Sequence, residues 1–389
     1  MQEMSTRKEK LFFLIFGYLF FPFFYLKMLF KKKKNQPKNF LIIDTAKIGD
    51  LVCSTPFFRA LKKNFPDSYL AVLVISRVKG ILENNPNIDD MILVDEFKGI
   101  KGGLKLIKLI KSKNFDWSFK LVAGGWEDTI PFWLGISNRV TVVSRHSDNL
   151  SNLLSKFSNY RKEYCFDELK SKFNLELLEF LGIKQAEDRR EVFYTQRETA
   201  KIDKLFKERN IFEKDFLVGI SVTAGNKFKE WEPEKFSQLA DKMIKELKAK
   251  ILFLGSREDK EIVDKVIRKM KEKAIDFSGL VDLTTLPALM SRLNLFISVD
   301  TGPLYVATAL DVPVIDINGP FNVKEQMLPT AKAEIVENKI YCQPCSHLVA
   351  GMHFCKERHL KCIKGITVDK VLKAVRKIIN KYNLKENKL

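Results

Sequence analysis

Residues 295–310 read LFISVDTGPLYVATAL, an apolar strand-type run, a polar turn and an apolar helix-type run in immediate succession. The strand-like part ends at Val299 and the helix-like part begins at Leu304. Between them, Gly302 permits close backbone approach and Pro303 suits the first position of a helix. A strand that leads directly into a helix is the repeating unit of a parallel sheet with crossover helices.

The same unit recurs on both sides of this stretch. Other strand-like runs lie at 40–43, 70–75, 91–94, 118–122, 140–143, 216–221, 250–254 and 312–317. Helix-compatible segments separate them, so the sequence predicts the α/β class with parallel sheets. Because the runs form two series in a chain of 389 residues, we expect two doubly wound domains.

The predicted organisation has four parts. They are an apolar and polybasic segment at 1–38, an N-terminal domain at 39–210, a C-terminal domain at 211–366 with a cysteine-rich loop at 342–362, and a helix with a basic tail at 367–389. Thr367 is a capping-type residue before an apolar stripe at helical spacing, which indicates the final helix.

Composition limits the class of protein. Apolar residues make up 46% and charged residues 30%, which is typical of a globular body and excludes a disordered or polytopic chain. The 67 basic and 48 acidic residues leave a net charge of +19, which suits an anionic partner. Because no nucleic-acid module is recognisable, we expect that partner to be an acidic lipid surface or a phosphorylated substrate.

The N-terminal part contains a long apolar run. No residue from Leu11 to Leu26 is charged, and the basic cluster Lys31–Lys34 follows the run, whereas a secretory signal has its basic residues first. We expect residues 11–34 to hold the chain on the cytoplasmic face of the inner membrane, with the anionic surface as partner, either spanning the bilayer or lying in it. Pro22 would kink a spanning helix. The alternative is a helix buried against the globular body.

Polar loops follow several predicted strands, at the end where open parallel sheets bind ligands. Asp50 lies after the first strand and suits a general base; the alternative is an acid that stabilises the dipole of its own helix. The amides around Thr301 open a helix beside a strand end, which suits a phosphate; the alternative is a capped turn without a ligand.

Two more loops of the second domain carry suitable groups. Residues 222–231 combine small and hydroxyl side chains with Lys227 and Lys229, a set that suits a diphosphate. Glu258 follows the next strand and suits a sugar hydroxyl. Taken singly, such charged side chains are ordinary solvated surface. Three strand ends that converge on polar loops in one domain predict a ligand site.

Four of the six cysteines crowd into one stretch, with three histidines among them. They are Cys342, Cys345, Cys355 and Cys362, with His347, His353 and His359. Six cysteines are too sparse for a disulfide framework, so we expect a reducing compartment. The spacing leaves three states open for the cluster: a structural zinc site, reduced thiols or a disulfide.

Taken together, these motifs resemble glycosyltransferase family 9, the heptosyltransferases of lipopolysaccharide core assembly. The resemblance covers about residues 39–380. It is carried by IIDTAKIGDLV at 42–52, NPNID at 85–89, and the segment from DTGP at 300–303 to GP at 319–320. It implies a GT-B fold, in which two Rossmann-like domains face a cleft and bind acceptor and nucleotide sugar respectively, and an inverting, metal-independent transfer.

The resemblance also implies a role for each matching residue. Asp50 matches the catalytic base that activates the acceptor hydroxyl. The residues that match donor contacts are Thr223, Ala224, Lys229, Glu258, Asp300, Thr301, Gly302 and Pro303. Tyr305 departs from the pattern, because many members have histidine there.

The expected function is therefore transfer of heptose from ADP-heptose to a lipopolysaccharide core or related glycan, with no cofactor beyond the donor substrate. The expected partners are a nucleotide sugar and a lipid-linked or phosphorylated glycan acceptor. Two alternatives stay open: a family member that uses another nucleotide sugar, and a non-catalytic protein that binds a nucleotide sugar or a membrane glycan.

Overall fold

The computed structural model describes residues 7–29, 37–348 and 354–385. Three features named above lie outside the described residues: the basic cluster Lys31–Lys34, His353 within the cysteine-rich loop, and the end of the basic tail at 386–389.

The first six strands form one parallel sheet. Its strands are β1 (Asn39–Ile43), β2 (Tyr69–Val74), β3 (Asp90–Leu93), β4 (Trp117–Lys120), β5 (Asn138–Val143) and β6 (Tyr160–Glu163), in the order β3-β2-β1-β4-β5-β6. The accompanying helices are α1 (Arg7–Leu29), α2 (Ile48–Asn64), α3 (Gly99–Lys111), α4 (Ile130–Trp133), α5 (Asn149–Leu154) and α6 (Lys170–Glu176). This strand order is that of a doubly wound domain.

A second parallel sheet repeats the arrangement. Its strands are β7 (Leu217–Ser221), β8 (Lys250–Leu254), β9 (Ile275–Asp276), β10 (Leu295–Val299), β11 (Val314–Asn318) and β12 (Ala333–Glu337), in the order β12-β11-β10-β7-β8-β9. The helices are α7 (Gln196–Glu208), α8 (Pro233–Leu247), α9 (Lys260–Arg268), α10 (Leu286–Met290), α11 (Gly302–Ala309), α12 (Lys361–Lys364) and α13 (Val368–Lys381). The predicted α/β class with two doubly wound sheets is confirmed.

The chain's contacts divide it into two units. The first comprises Met1–Lys47, Cys53–Lys79 and Asn85–Arg190, and the second comprises Ile48–Val52, Gly80–Asn84 and Glu191–Leu389. The division falls at 190/191, twenty residues before the predicted boundary, because α7 packs in the second unit: the Phe206 ring meets Phe277 edge to face at 6.1 Å.

Each unit has its own apolar core. In the second unit, β7, β8, β10 and β11 present one apolar face to α8, α9 and α13, and Ile220, Phe253 and Ile297 are fully buried there. The predicted C-terminal helix is α13, which Thr367 caps by accepting from the Lys370 amide. The sheets are therefore rigid platforms whose strand ends position the polar loops.

The apolar N-terminal run folds as α1 on the first unit. Phe13 is 1% exposed, and its ring stacks on Trp126 at 4.4 Å. Among the described residues, no helix is both long and apolar enough to cross a membrane. The expectation that this segment spans a bilayer is therefore wrong. The alternative, a helix packed on the globular body, is confirmed for one side of α1.

Phe13 and Phe23 lie on the same helix with opposite environments, 1% and 63% exposed. We expect Phe13→Ala to lower the free energy of unfolding of the first unit by about 3 kcal/mol, since the lost ring leaves a cavity against Trp126. The matched Phe23→Ala variant should change it by less than about 0.5 kcal/mol. Urea unfolding followed by tryptophan fluorescence measures both values, and equal losses would contradict the packing of α1.

Candidate functional site

The order of the second sheet reverses between β7 and β10, and such a switch point is where open α/β sheets bind ligands. The loops that leave these two strands carry Lys229 and Asp300. The Lys229 Nζ lies 2.5 Å from Asp300 Oδ2, and the aspartate side chain is 5% exposed. Two residues predicted to bind the donor are thus joined in one ion pair at the switch point.

The second oxygen of Asp300 also has a partner. The Tyr305 hydroxyl donates to Asp300 Oδ1 at 2.5 Å, and Tyr305 itself is 1% exposed on α11. On the other side, Lys229 lies over the Phe321 ring, 4.2 Å from its centroid. Tyrosine at this position therefore has a definite structural role, which is to fix the Asp300 carboxylate from inside the unit.

A second carboxylate lies beneath this pair. Asp316 on β11 is fully buried, and neither of its side-chain oxygens has a hydrogen-bond partner among the described residues. Burial, and then the negative charge of Asp300, raise the pKa of Asp316 well above its ordinary value of 3.8, although Lys229 opposes the shift. The protonated form is therefore favoured at Asp316, which leaves Lys229 to balance the charge of Asp300.

The candidate base Asp50 occupies the first turn of α2, within the residues whose contacts place them in the second unit. Gln326 donates from Nε2 to Asp50 Oδ1 at 2.7 Å. The neighbouring Gly49 meets the Tyr305 ring, since a Cβ built on this glycine would lie 2.9 Å from the ring. Asp50 is therefore linked to the Asp300 cluster through Gly49 and Tyr305.

In the turn before α11, the backbone lies very close to the neighbouring residue Ile48. A Cβ at Gly302 would lie 2.6 Å from the Ile48 Cβ, so a larger residue there requires the neighbouring backbone to shift. Thr301 is the N-cap residue with extended backbone and makes no side-chain cap bond, and Pro303 follows at the start of the helix. The start of α11, where the helix dipole is positive, thus follows the Asp300 turn directly.

The remaining predicted donor residues occupy two neighbouring loops. The Ala224 amide donates to Glu230 Oε1 at 3.2 Å, and Thr223 precedes it after β7. Burial raises the pKa of Glu230. Glu258 lies on an exposed turn after β8, the strand beside β7, and no hydrogen bond or ion pair joins it to Lys229 or Asp300 in the described parts of the chain.

Sequence reasoning missed Gln326 and Asp316. Gln326 follows a short 3₁₀ turn, Val323–Glu325, and its bond to Asp50 joins positions that are 276 residues apart. No local pattern indicates such a contact. Asp316 is different, because a carboxylate inside the apolar run at 312–317 is itself an anomaly, and this signal was present in the sequence.

The first sheet has its own switch point, between β1 and β4. Lys120 ends β4 and forms a buried ion pair with Asp128 at 3.0 Å, and Thr141 donates to the same carboxylate. Asp44 follows β1 directly, is buried, and has a pKa raised by burial. Buried charged groups thus follow both strands at the switch point of the first unit, and the Lys120–Asp128 pair was not predicted.

All six cysteines are free. The four clustered thiols influence one another: burial, and then the neighbouring Cys345, Cys342 and Cys355 thiols against an opposing backbone bond, raise the pKa of Cys362 to about 11. Within the described ranges, no group of three or more histidine, cysteine or acidic side chains is arranged to hold a metal ion. The reduced-thiol state and the zinc state both stay predictions.

A family model described as glycosyltransferase family 9 (heptosyltransferase) matches residues 104–353, which include β4 to β12 and the Lys229–Asp300 pair. The chain belongs to glycosyltransferase family 9. It is therefore a glycosyltransferase, as the resemblance of its motifs implied.

Curated relatives agree with family 9. The chain is 28% identical to lipopolysaccharide heptosyltransferase 3 of Escherichia coli K12 over 285 residues, which cover 70% of this chain and 79% of that protein. It is 24% identical to the lipopolysaccharide core heptosyltransferase OpsX of Haemophilus influenzae, with coverage of 73% and 79%.

Solved structures show the same fold. A family 9 glycosyl transferase from Veillonella parvula superposes with a TM-score of 0.76 at 22% identity and covers 90% of this chain and 100% of its own. The E. coli ADP-heptose lipopolysaccharide heptosyltransferase II gives 0.71 at 16% identity, with coverage of 89% and 99%. These similarities confirm the predicted GT-B class for the family 9 chain.

The buried Asp316 leads to a prediction of how the free energy of unfolding depends on pH. Because its pKa is raised in the folded state, the folded protein retains a proton that the unfolded chain releases, so stability falls as pH rises above the ordinary value of 3.8. Asp316→Asn removes this loss. We expect the stability advantage of the variant over the unaltered protein to grow between about pH 4 and pH 7, by about 1.4 kcal/mol for each pH unit over which folded Asp316 keeps its proton.

Urea unfolding at a series of pH values measures this difference. Asp67→Asn, at an exposed carboxylate of the first unit, is the control and should give a flat difference. A flat difference for Asp316→Asn as well would show that Asp316 is ionised in the folded protein.

Proposed function

We propose that this chain transfers heptose from ADP-heptose to a lipopolysaccharide core or related glycan, with inversion at the anomeric carbon and no metal ion. The observation that carries the proposal is the Lys229–Asp300 ion pair at the switch point of the second sheet. The matching family and the relatives, whose names refer to lipopolysaccharide heptosyl transfer, support the same reaction.

The donor diphosphate is proposed to bind at the loops after β7 and β10. Lys229 supplies the positive charge, and the backbone at the start of α11 supplies the positive end of the helix dipole for a phosphate. Asp300 holds the ammonium group of Lys229 in place before the donor arrives. The leaving diphosphate gains negative charge as the sugar departs, so a fixed cation there stabilises the transition state more than the ground state.

Asp50 is proposed as the general base. The acceptor hydroxyl gives its proton to the Asp50 carboxylate, its oxygen bonds to the anomeric carbon, and the bond from that carbon to the diphosphate breaks with both electrons leaving on the diphosphate. Gln326 donates a hydrogen bond to one oxygen of the Asp50 carboxylate, and this bond orients the whole side chain.

The acceptor is proposed to bind the first unit, beyond the strand ends that carry Asp44 and Lys120. The net charge of +19 suits a phosphorylated glycan. Because a core glycan is carried on lipid, the chain is proposed to work at the cytoplasmic face of the inner membrane. Two hypotheses compete with this proposal: another donor nucleotide, and binding without transfer. The next two experiments distinguish them from it.

Donor identity is tested by thermal shift with ADP, ADP-heptose, UDP and GDP. We expect stabilisation by the two adenine nucleotides alone, about 2.7 kcal/mol at 100 times the dissociation constant. Asp300→Asn should weaken donor binding at least about tenfold, a loss of about 1.4 kcal/mol, because Lys229 loses its anchor. Asp369→Asn, at a side chain 82% exposed in the same unit, should bind like the unaltered protein. Stabilisation by UDP or GDP instead would contradict ADP-heptose as the donor and favour a sugar carried on that nucleotide.

The base is tested with Asp50→Asn, which retains an oxygen to accept from Gln326 but removes the basic group. Transfer should fall by about 10²–10⁴-fold, as expected for loss of a general base. The thermal shift with ADP should be unchanged, and the exposed Asp67→Asn variant should transfer normally. A chromatographic assay of glycan product measures the rate, and unimpaired transfer by Asp50→Asn would remove the assignment. If the unaltered protein binds donor but transfers nothing to any acceptor, the non-catalytic hypothesis is favoured.

A further inference from the structure

Helix α1 has one side that belongs to the first unit. Besides the Phe13–Trp126 stack, the Phe21 ring stacks on Phe132 at 5.6 Å. Gly17 permits the closest approach, since a Cβ there would lie 2.5 Å from the Phe157 ring. These contacts span two and a half turns, so α1 lies along the surface of the unit and does not project from it.

The opposite side of α1 is apolar and exposed. Its side chains repeat at intervals of three or four residues, which places them in one stripe along the helix. The stripe consists of Leu11 (48% exposed), Ile15 (54%), Leu19 (67%), Phe23 (63%) and Leu26 (54%). Single exposed apolar residues are common on protein surfaces, but a continuous stripe of this length marks a binding surface.

A basic helix packs beside α1. Gly103 of α3 admits the Phe13 ring, since a Cβ on this glycine would lie 2.6 Å from the end of that ring. Helix α3 has the sequence GIKGGLKLIKLIK and contains no acidic residue. Its exposed side chains alternate in character: Lys101, Leu104 (47%), Lys105, Lys108 and Leu109 (57%). We refer to the α1 stripe and these α3 side chains as the α1–α3 face.

We propose that the α1–α3 face binds the surface of an anionic phospholipid bilayer, with α1 lying parallel to the membrane plane. The apolar stripe enters the region between headgroups and acyl chains, and the lysines of α3 contact lipid phosphates. The basic cluster Lys31–Lys34, which follows α1 in the sequence, adds charge of the same sign. Parallel placement follows from the contacts of Phe13 and Phe21, which a helix crossing the bilayer would lose.

The positive charge of the α1–α3 face favours a lipid surface, and not a second copy of the chain, as its partner. A two-fold dimer through this face would bring the same patch of each copy together, so the lysines of both α3 helices would be gathered in one interface to which α3 brings no acidic partner. An anionic bilayer presents opposite charge over the whole area. The face therefore holds the chain close to lipid-carried substrates, whichever nucleotide sugar the second unit uses.

The test is flotation of the full-length protein with vesicles of phosphatidylcholine alone or of equimolar phosphatidylcholine and phosphatidylglycerol. We expect binding to the anionic vesicles, at least about tenfold stronger than to the neutral ones at low salt, and weaker binding as salt rises. The triple variant Ile15→Glu, Leu19→Glu, Phe23→Glu should lose at least about tenfold in binding to anionic vesicles.

Two matched variants separate the face from general effects of charge. Phe212→Glu, Leu280→Glu, Ile335→Glu makes the same change of charge at side chains of the second unit that are 56%, 43% and 38% exposed, and it should bind like the unaltered protein. Lys101→Gln, Lys105→Gln, Lys108→Gln should abolish the preference for anionic vesicles, whereas Lys245→Gln, Lys265→Gln, Lys269→Gln should keep it.

Several outcomes would overturn the proposal. They are failure of the unaltered protein to bind anionic vesicles, equal loss in both glutamate triples, or a dimer in solution that the α1 triple dissociates, which would make a second copy the occupant. The thermal shift with ADP should be the same in every variant. Loss of vesicle binding with a normal ADP shift therefore tests this face alone and leaves the proposed transfer unaffected.

Discussion

The arrangement of the second unit depends on one ion pair, Lys229 with Asp300. Their strands, β7 and β10, are neighbours in the sheet because the strand order reverses there, so two loops far apart in the chain emerge side by side. An isolated buried carboxylate is costly, and here the cost is offset by a lysine on one oxygen and a tyrosine hydroxyl on the other. The position of the α11 amides and of Gly49 follows from where this carboxylate is held.

Much of the fold could be predicted because apolar runs of five or six residues indicate buried parallel strands whatever surrounds them. The missed strands are at the edges of the sheets. β6 has the sequence YRKE, β12 has the sequence AEIVE and β9 has only two residues, so none of the three has the continuous apolar run of a central strand. The contact-based division falls before the predicted boundary for a related reason. α7 is polar over most of its surface, and only tertiary contacts such as that of Phe206 assign it to the second unit.

The candidate site was predictable only where a motif is continuous in the sequence. Asp300, Gly302 and Pro303 form one turn, and the structure places them together. Pairings across the chain, such as Gln326 with Asp50, depend on how loops meet after the sheets have formed, and periodicity contains no information about that. The N-terminal run shows the same limit: its composition indicated an apolar helix, but the ring contacts that divide α1 into a packed and an exposed side are visible only in three dimensions.

Tyr305 has a consequence for how this site responds to its surroundings. An imidazole at this position would gain or lose a proton within about pH 5–8, and the charge next to the Asp300 carboxylate would change with it. The Tyr305 phenol instead donates a hydrogen bond to Asp300, and phenols ordinarily lose their proton only near pH 10. The hydrogen bond that holds the Asp300 carboxylate from inside the unit therefore comes from a phenol, and pH reaches this ion pair through the buried Asp316 instead.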